Sequence, residues 1–212
     1  MKRLLSLVAV VLCVALMPQE AVAQFDLGKA FGRILGAVAA EQQQTTKVSP
    51  YDELRNNAPT RTKILGTWQY KTASLKYLGD NPLADVALAQ VEGFGLAELK
   101  KYGIMEGCCS LTLRRNGLAV LSTLDALQEG WFNYDETTAK MDVSSTVDGV
   151  TYKAQGYFRI VSERFMVMLD AGDVIDIIAK ASPELTSDDT FIMLKGVLQS
   201  FGDVYLCIVF ER

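Results

Sequence analysis

Two pairs of carboxylates and three cysteines are the residues whose types could carry chemistry in this chain. Asp173 with Asp176, and Asp188 with Asp189, stand close enough to be imagined as a carboxylate-based hydrolytic pair or part of a calcium loop. A calcium loop needs several oxygen ligands at set spacing, and neither pair supplies them. Both pairs fall where a helix start favours negative charge, so capping explains them better than catalysis does. Histidine is absent from all 212 residues. Its absence removes the Ser-His-Asp and Cys-His nucleophile systems, the commonest general base, and most zinc and copper sites. The chain therefore reads as a non-enzyme with no cofactor and no metal, a carboxylate hydrolase being the remote alternative.

Cys108, Cys109 and Cys207 make an odd set beyond the N-terminal segment. Neighbours in a strand point to opposite faces, so Cys108 and Cys109 should meet different surroundings. Two readings stand for them: small buried hydrophobes, or a bridge from Cys207 to one of the pair. Three thiolates without a fourth ligand make a poor metal site.

The N-terminus carries an export signal. Met1-Lys2-Arg3 is cationic, Leu4 to Met17 is almost wholly apolar, and Ala21-Val22-Ala23 gives the small-x-small cleavage pattern. The apolar run is shorter than the ~20 residues a membrane helix needs, and no later stretch approaches that length. The expectation is cleavage after Ala23 and a mature chain in the periplasm or outside the cell, with no transmembrane segment. The whole chain carries a net charge of −4, and losing Lys2, Arg3 and Glu20 leaves it more acidic still. An acidic chain without a basic cluster is a poor nucleic-acid binder.

Residues 24–60 read as an extension: a helix at 26–40, then a polar linker from Glu41 to Pro59. Phe31, Ile34, Leu35 and Val38 form one stripe of that helix, and Gly28, Gly32 and Gly36 form another where a protein partner could dock. Residues 61–212 read as one domain. From residue 63 the period changes to two, with a first strand over Ile64 to Lys71. Asn81-Pro82 opens a helix that Gly103 closes. Hairpins follow: strands at 108–114, 118–124, 130–134, 139–147, 150–161 and 164–170, with a final strand at 204–210. Asp173 caps a helix to Ala181, and Ser187-Asp188-Asp189 opens another that stops at Gly202.

Eight antiparallel strands in succession avoid open edges by closing into an up-and-down barrel, with helices inserted after strand one and before strand eight. The Asn116-Gly117 turn predicts Leu113 opposite Val120, on the side of Leu111 and Cys109. A two-residue turn at Ser162-Glu163 predicts Ile160 opposite Phe165 and Phe158 opposite Val167. Those side chains should face the interior, while Lys153, Gln155, Arg159 and Thr112 face water. The smaller Ala154 and Gly156 would open space beside Tyr152.

Leu65-Gly66-Thr67-Trp68 at the start of such a meander resembles the Gly-x-Trp signature of the lipocalin-like (calycin) superfamily. The signal peptide, polar linker, GTWxY start and helical run after Leu169-Asp170-Ala171 resemble a family of secreted lipocalin-like proteins of anaerobic gut-type bacteria. The resemblance implies that Trp68, beside Gly66, plugs the closed end of the barrel. A basic residue near the last strand's end would pack over it: Arg212, with Arg159 in reserve. The same resemblance points to a non-enzymatic carrier or sensor of a small apolar ligand, with Tyr152, Phe158, Phe165 and Val167 as candidate lining. The alternative is a periplasmic or surface interaction module whose barrel is filled. The two differ in cavity volume.

Overall fold

The computed structural model describes residues 49–212 apart from residues 82, 85–87, 89–104, 125 and 188. The expected cleavage segment, the helix at 26–40 and most of the helix at 81–103 lie outside the described residues; residues 83, 84 and 88 are helical. The elements are α1 (Pro50–Asn56), α2 (Arg61–Ile64), β1 (Gly66–Tyr77), β2 (Ser110–Leu113), β3 (Leu118–Ser122) and β4 (Leu127–Tyr134). Then come β5 (Lys140–Val147), β6 (Val150–Val161), β7 (Arg164–Asp170), α3 (Ala171–Ala181), a 3-10 turn at Pro183–Ser187, α4 (Asp189–Phe201) and β8 (Val204–Glu211).

Turn chemistry routes the chain. Ser162 and Glu163 both take positive φ, 49° and 68°, the two-residue turn whose twist matches its strands. Ile160 consequently faces Phe165 and Phe158 faces Val167, as the pattern predicts. Asp148 and Gly149 repeat the device at 50° and 81°, setting Val147 opposite Val150.

The Asn116-Gly117 turn differs from expectation by one residue. Leu113 pairs with Ala119, and Thr112 with Val120. Asn116 Oδ1 accepts the Leu118 N–H at 3.1 Å, and Gly117 sits at φ 89°, so the connection takes in Arg115 as well. A glycine in the left-handed region absorbs an extra residue as a bulge. The slip turns every β3 side chain over. Val120 therefore points outward beside Thr112 and Glu129, and Ala119 and Leu121 point inward.

Each strand pairs with its sequence neighbours and β8 returns to β1, closing an eight-stranded antiparallel barrel. The expected fold class and the helices before the last strand are observed. β1 begins at Gly66 rather than Ile64, because Arg61–Ile64 forms a helical turn, and it runs on to Tyr77. Ala73, Leu75 and Tyr77 keep alternating inward along it, so the strand has reason to continue. β4 likewise starts at Leu127, ahead of the glycine expected to open it.

Two clusters share the sheet. The inner one fills the barrel ends, with Trp68, Phe158, Phe165 and the apolar face of α3. The outer one holds Leu54, Leu78, Ala139, Tyr157, Met168, Tyr205 and Cys207. Its presence corrects the reading of 41–59 as linker throughout. Within that stretch α1 presses Leu54 into the barrel wall, Tyr51 donates to Asp203 at 2.5 Å, and Glu53 pairs with Arg159. Among the described residues no helix is long and apolar enough to cross a membrane.

Candidate functional site: a stoppered barrel with an apolar cavity

The closed end is built around Trp68. Its indole is 3% exposed, and Nε1 donates to the Ile64 carbonyl at 2.8 Å. The helical turn α2 supplies that acceptor, a contribution the sequence pattern did not reveal. The Arg212 guanidinium lies over the indole, 4.2 Å from the ring centroid, and Nη2 donates to the carbonyls of Lys63 (3.1 Å) and Leu65 (2.9 Å). A cation over an indole face gains from the ring quadrupole, and here the same cation ties down the turn beneath. Gly66 has φ 117°, which excludes most side chains, and lies against Arg212. Arg159, the reserve partner, is occupied by Glu53 on the outer face.

Above the tryptophan the aromatic rings stack upward. Phe165 lies 4.9 Å from Trp68 between centroids, and Phe158 lies 5.1 Å from Phe165. Beyond Phe158 the packing opens into a cavity of about 200 Å³. An engineered cavity of ~150 Å³ lined by apolar residues binds benzene, which sets the scale.

Of the four residues expected to line a ligand site, Tyr152, Phe158 and Val167 are placed on the cavity wall and Phe165 is not. Phe165 belongs to the stopper beneath. Ala154 lines the cavity but Gly156 does not. A Cβ on Gly156 would stand 1.7 Å from the Met168 carbonyl oxygen, so this glycine permits close approach of β6 to β7 instead of opening space.

Several contributions went unforeseen. Val174 and Ile177 of α3 line the cavity, so the helix before the last strand roofs the barrel without filling it. The helix is set by Asp170, not the expected Asp173: the Asp170 side chain caps the first turn by accepting Asp173 N–H at 3.0 Å. Asp173 Oδ2 instead takes the Gln155 N–H at 2.7 Å, tying roof to wall. Cys109 lines the cavity on the inner face where strand parity puts it, and burial pushes its thiol above the ordinary cysteine range, keeping it a neutral wall group.

Elsewhere on the wall, the β4–β5 ladder ends at Trp131–Ser144 although both strands continue past it. Gln128, Gly130 and Ser145 line the cavity there. Side chains replace the missing ladder: Ser145 Oγ donates to the Glu129 carbonyl at 2.8 Å, and Gln128 Nε2 donates to Ser145 Oγ at 2.9 Å. The signal in sequence was inward parity of a glutamine and a serine in two otherwise apolar faces.

The remaining chemistry-bearing residues fall elsewhere. Asp176 stands 3.8 Å from Lys195 on the exterior, whereas Asp188 and the Asp189 side chain lie outside the described residues. Cys207 is buried in the outer cluster and Cys109 in the inner one, so the sheet stands between them. None of the three cysteines is bridged to another, and Cys109 and Cys207 are buried as small hydrophobes while Cys108 is half-buried.

A tryptophan stopper on the first strand, held by an arginine from the last, and a hollow above it place the chain in the lipocalin-like class of barrels. A family model described as lipocalin-like domain (DUF4923) matches residues 38–212, and the chain belongs to that family. No curated protein matches the chain.

Proposed function

We propose that this domain is a non-enzymatic carrier or sensor of a small apolar molecule held inside the barrel. The observation that carries the reading is the cavity of about 200 Å³ between Phe158 and the α3 roof. Protein interiors pack near crystal density, so an apolar void of this size is not the ordinary outcome of filling a barrel with side chains. Pockets of this kind are mostly apolar with few polar fixtures. The alternative, an interaction module docking through residues 26–40, requires a filled barrel, and the cavity favours the carrier.

The working place that fits this reading is the periplasm or the cell exterior, after removal of residues 1–23. The cationic start, apolar run and Ala21-Val22-Ala23 site support it. N-terminal sequencing of the exported chain should begin at Gln24; a chain beginning at Met1 overturns it. Native mass spectrometry of protein from its own host, backed by titration with aminoanthracene, tests the binding itself. Saturable probe binding at one site is the expected result. No probe binding, together with no retained small molecule, ends the carrier reading.

A further inference from the structure

We infer that the ligand is uncharged and carries a hydroxyl, or a similar single donor, directed at Gln128 beside the gap between β4 and β5. The inference rests on the carrier reading and deepens it.

The first argument is charge. Among the described residues no lysine or arginine lines the cavity. Among those residues the one acid in its wall, Glu129, is on the outward parity of β4, opposite the outward Val120. A carboxylate moved into such a space would lose its hydration and gain no partner, which costs far more than burial of the attached hydrocarbon returns. A cation would fare as badly. The site therefore selects against anionic amphiphiles, although their tails would fit.

The second argument is hydrogen-bond accounting. Ser145 is 9% exposed, so its hydroxyl needs partners within the protein or the ligand. Its one hydrogen goes to the Glu129 carbonyl at 2.8 Å. Gln128 must then present its amide nitrogen to Ser145 Oγ, and Nε2 also reaches the Glu129 carbonyl at 3.1 Å. With the nitrogen committed, the Gln128 carbonyl oxygen is the acceptor left for a ligand. The clasp thus asks for a donor. A ligand with a hydroxyl satisfies it, while a pure hydrocarbon leaves it to water.

Three ligands of nearly equal shape test the inference by calorimetry or by displacement of aminoanthracene: methylnaphthalene, naphthol and naphthoate, as beta isomers at neutral pH. Naphthol should bind roughly threefold to tenfold more tightly than methylnaphthalene, the range of one neutral hydrogen bond. Naphthoate should bind at least tenfold more weakly than methylnaphthalene. Gln128→Met should erase the preference for naphthol, with an unchanged circular dichroism spectrum and urea midpoint showing that the variant is folded. Naphthoate binding as tightly as the neutral pair overturns the charge argument. A naphthol preference that survives Gln128→Met overturns the assignment to Gln128. If none of the three binds and aminoanthracene does not bind either, it is the carrier reading that has failed.

Discussion

Ala154→Leu separates a hollow barrel from a solid one, because the two predict opposite signs. Ala154 is 3% exposed and lies on the cavity wall between Tyr152 and Phe158 along β6. The substitution adds three carbons, each taking about the room of a water at ~30 Å³, so the new side chain claims roughly 90 Å³. The cavity of about 200 Å³ can hold that without displacing the backbone. Burying three more carbons contributes roughly 2.4 kcal/mol at ~0.8 kcal/mol each, less about 0.5–1 kcal/mol for fixing the leucine rotamers. The variant should therefore gain on the order of 1–2 kcal/mol in urea denaturation, seen as a higher midpoint at unchanged slope. The remaining space falls below what benzene needs, so aminoanthracene affinity should drop at least tenfold. In a filled interior the same change overpacks and costs about 1–3 kcal/mol. A lowered midpoint would refute the cavity and, with it, the argument for a bound ligand.

Trp68→Ala should destabilise the fold by the ~3–5 kcal/mol typical of a large core aromatic, and a shift in denaturation below about 1 kcal/mol would sink the stopper assignment. Gly156→Ala should prevent normal folding, since the added carbon meets the Met168 backbone; a soluble variant of unchanged circular dichroism and midpoint contradicts the close approach. Alkaline pH should unfold the chain early. Burial is the largest cause raising Tyr51, Tyr134 and Tyr205 above the usual tyrosine value, with Tyr205 pushed up to about 12. A phenol with a raised folded pKa contributes stability fully present below about pH 10 and lost as pH climbs through the folded value. Urea midpoints should fall between about pH 10 and 12, less steeply in Tyr205→Phe, and a flat profile counts against the buried phenols.

The parts of this fold legible in the sequence were those decided by local turn chemistry and period. The Ser162-Glu163 and Asp148-Gly149 turns fix their registers through two residues of positive φ each, and β6 and β7 begin and end where their patterns do. The Asn116-Gly117 turn was misread because both a two-residue and a three-residue loop put that dipeptide at the tip. The choice rests on which residue takes the left-handed position, which sequence alone leaves open. α1 was hidden for another reason. Its seven residues carry a single buried anchor, Leu54, too few for a period, and its support comes from Tyr157, Tyr205 and Met168, far along the chain.

The candidate site was legible in parity but not in shape. Strand alternation placed Tyr152, Ala154 and Phe158 on one inner face, and that face is real. Parity cannot separate a wall residue from a floor residue, so Phe165 was grouped with its neighbours although it packs on Trp68 below them. It cannot separate a glycine that makes room from one that removes a clash, which is the difference between Ala154 and Gly156. The roof is the deeper case. Val174 and Ile177 form an apolar stripe that any amphipathic helix would show, and nothing local says whether it plugs a barrel or spans it. The outcome follows from one local and one long-range polar link: Asp170 fixes where α3 starts, and Asp173 fastens that first turn to the Gln155 N–H on β6. With its start anchored to the barrel wall, the helix lays its stripe across the interior and leaves the space above Phe158 open. Of the carboxylates that first suggested catalysis, Asp173 thus acts in shaping the cavity.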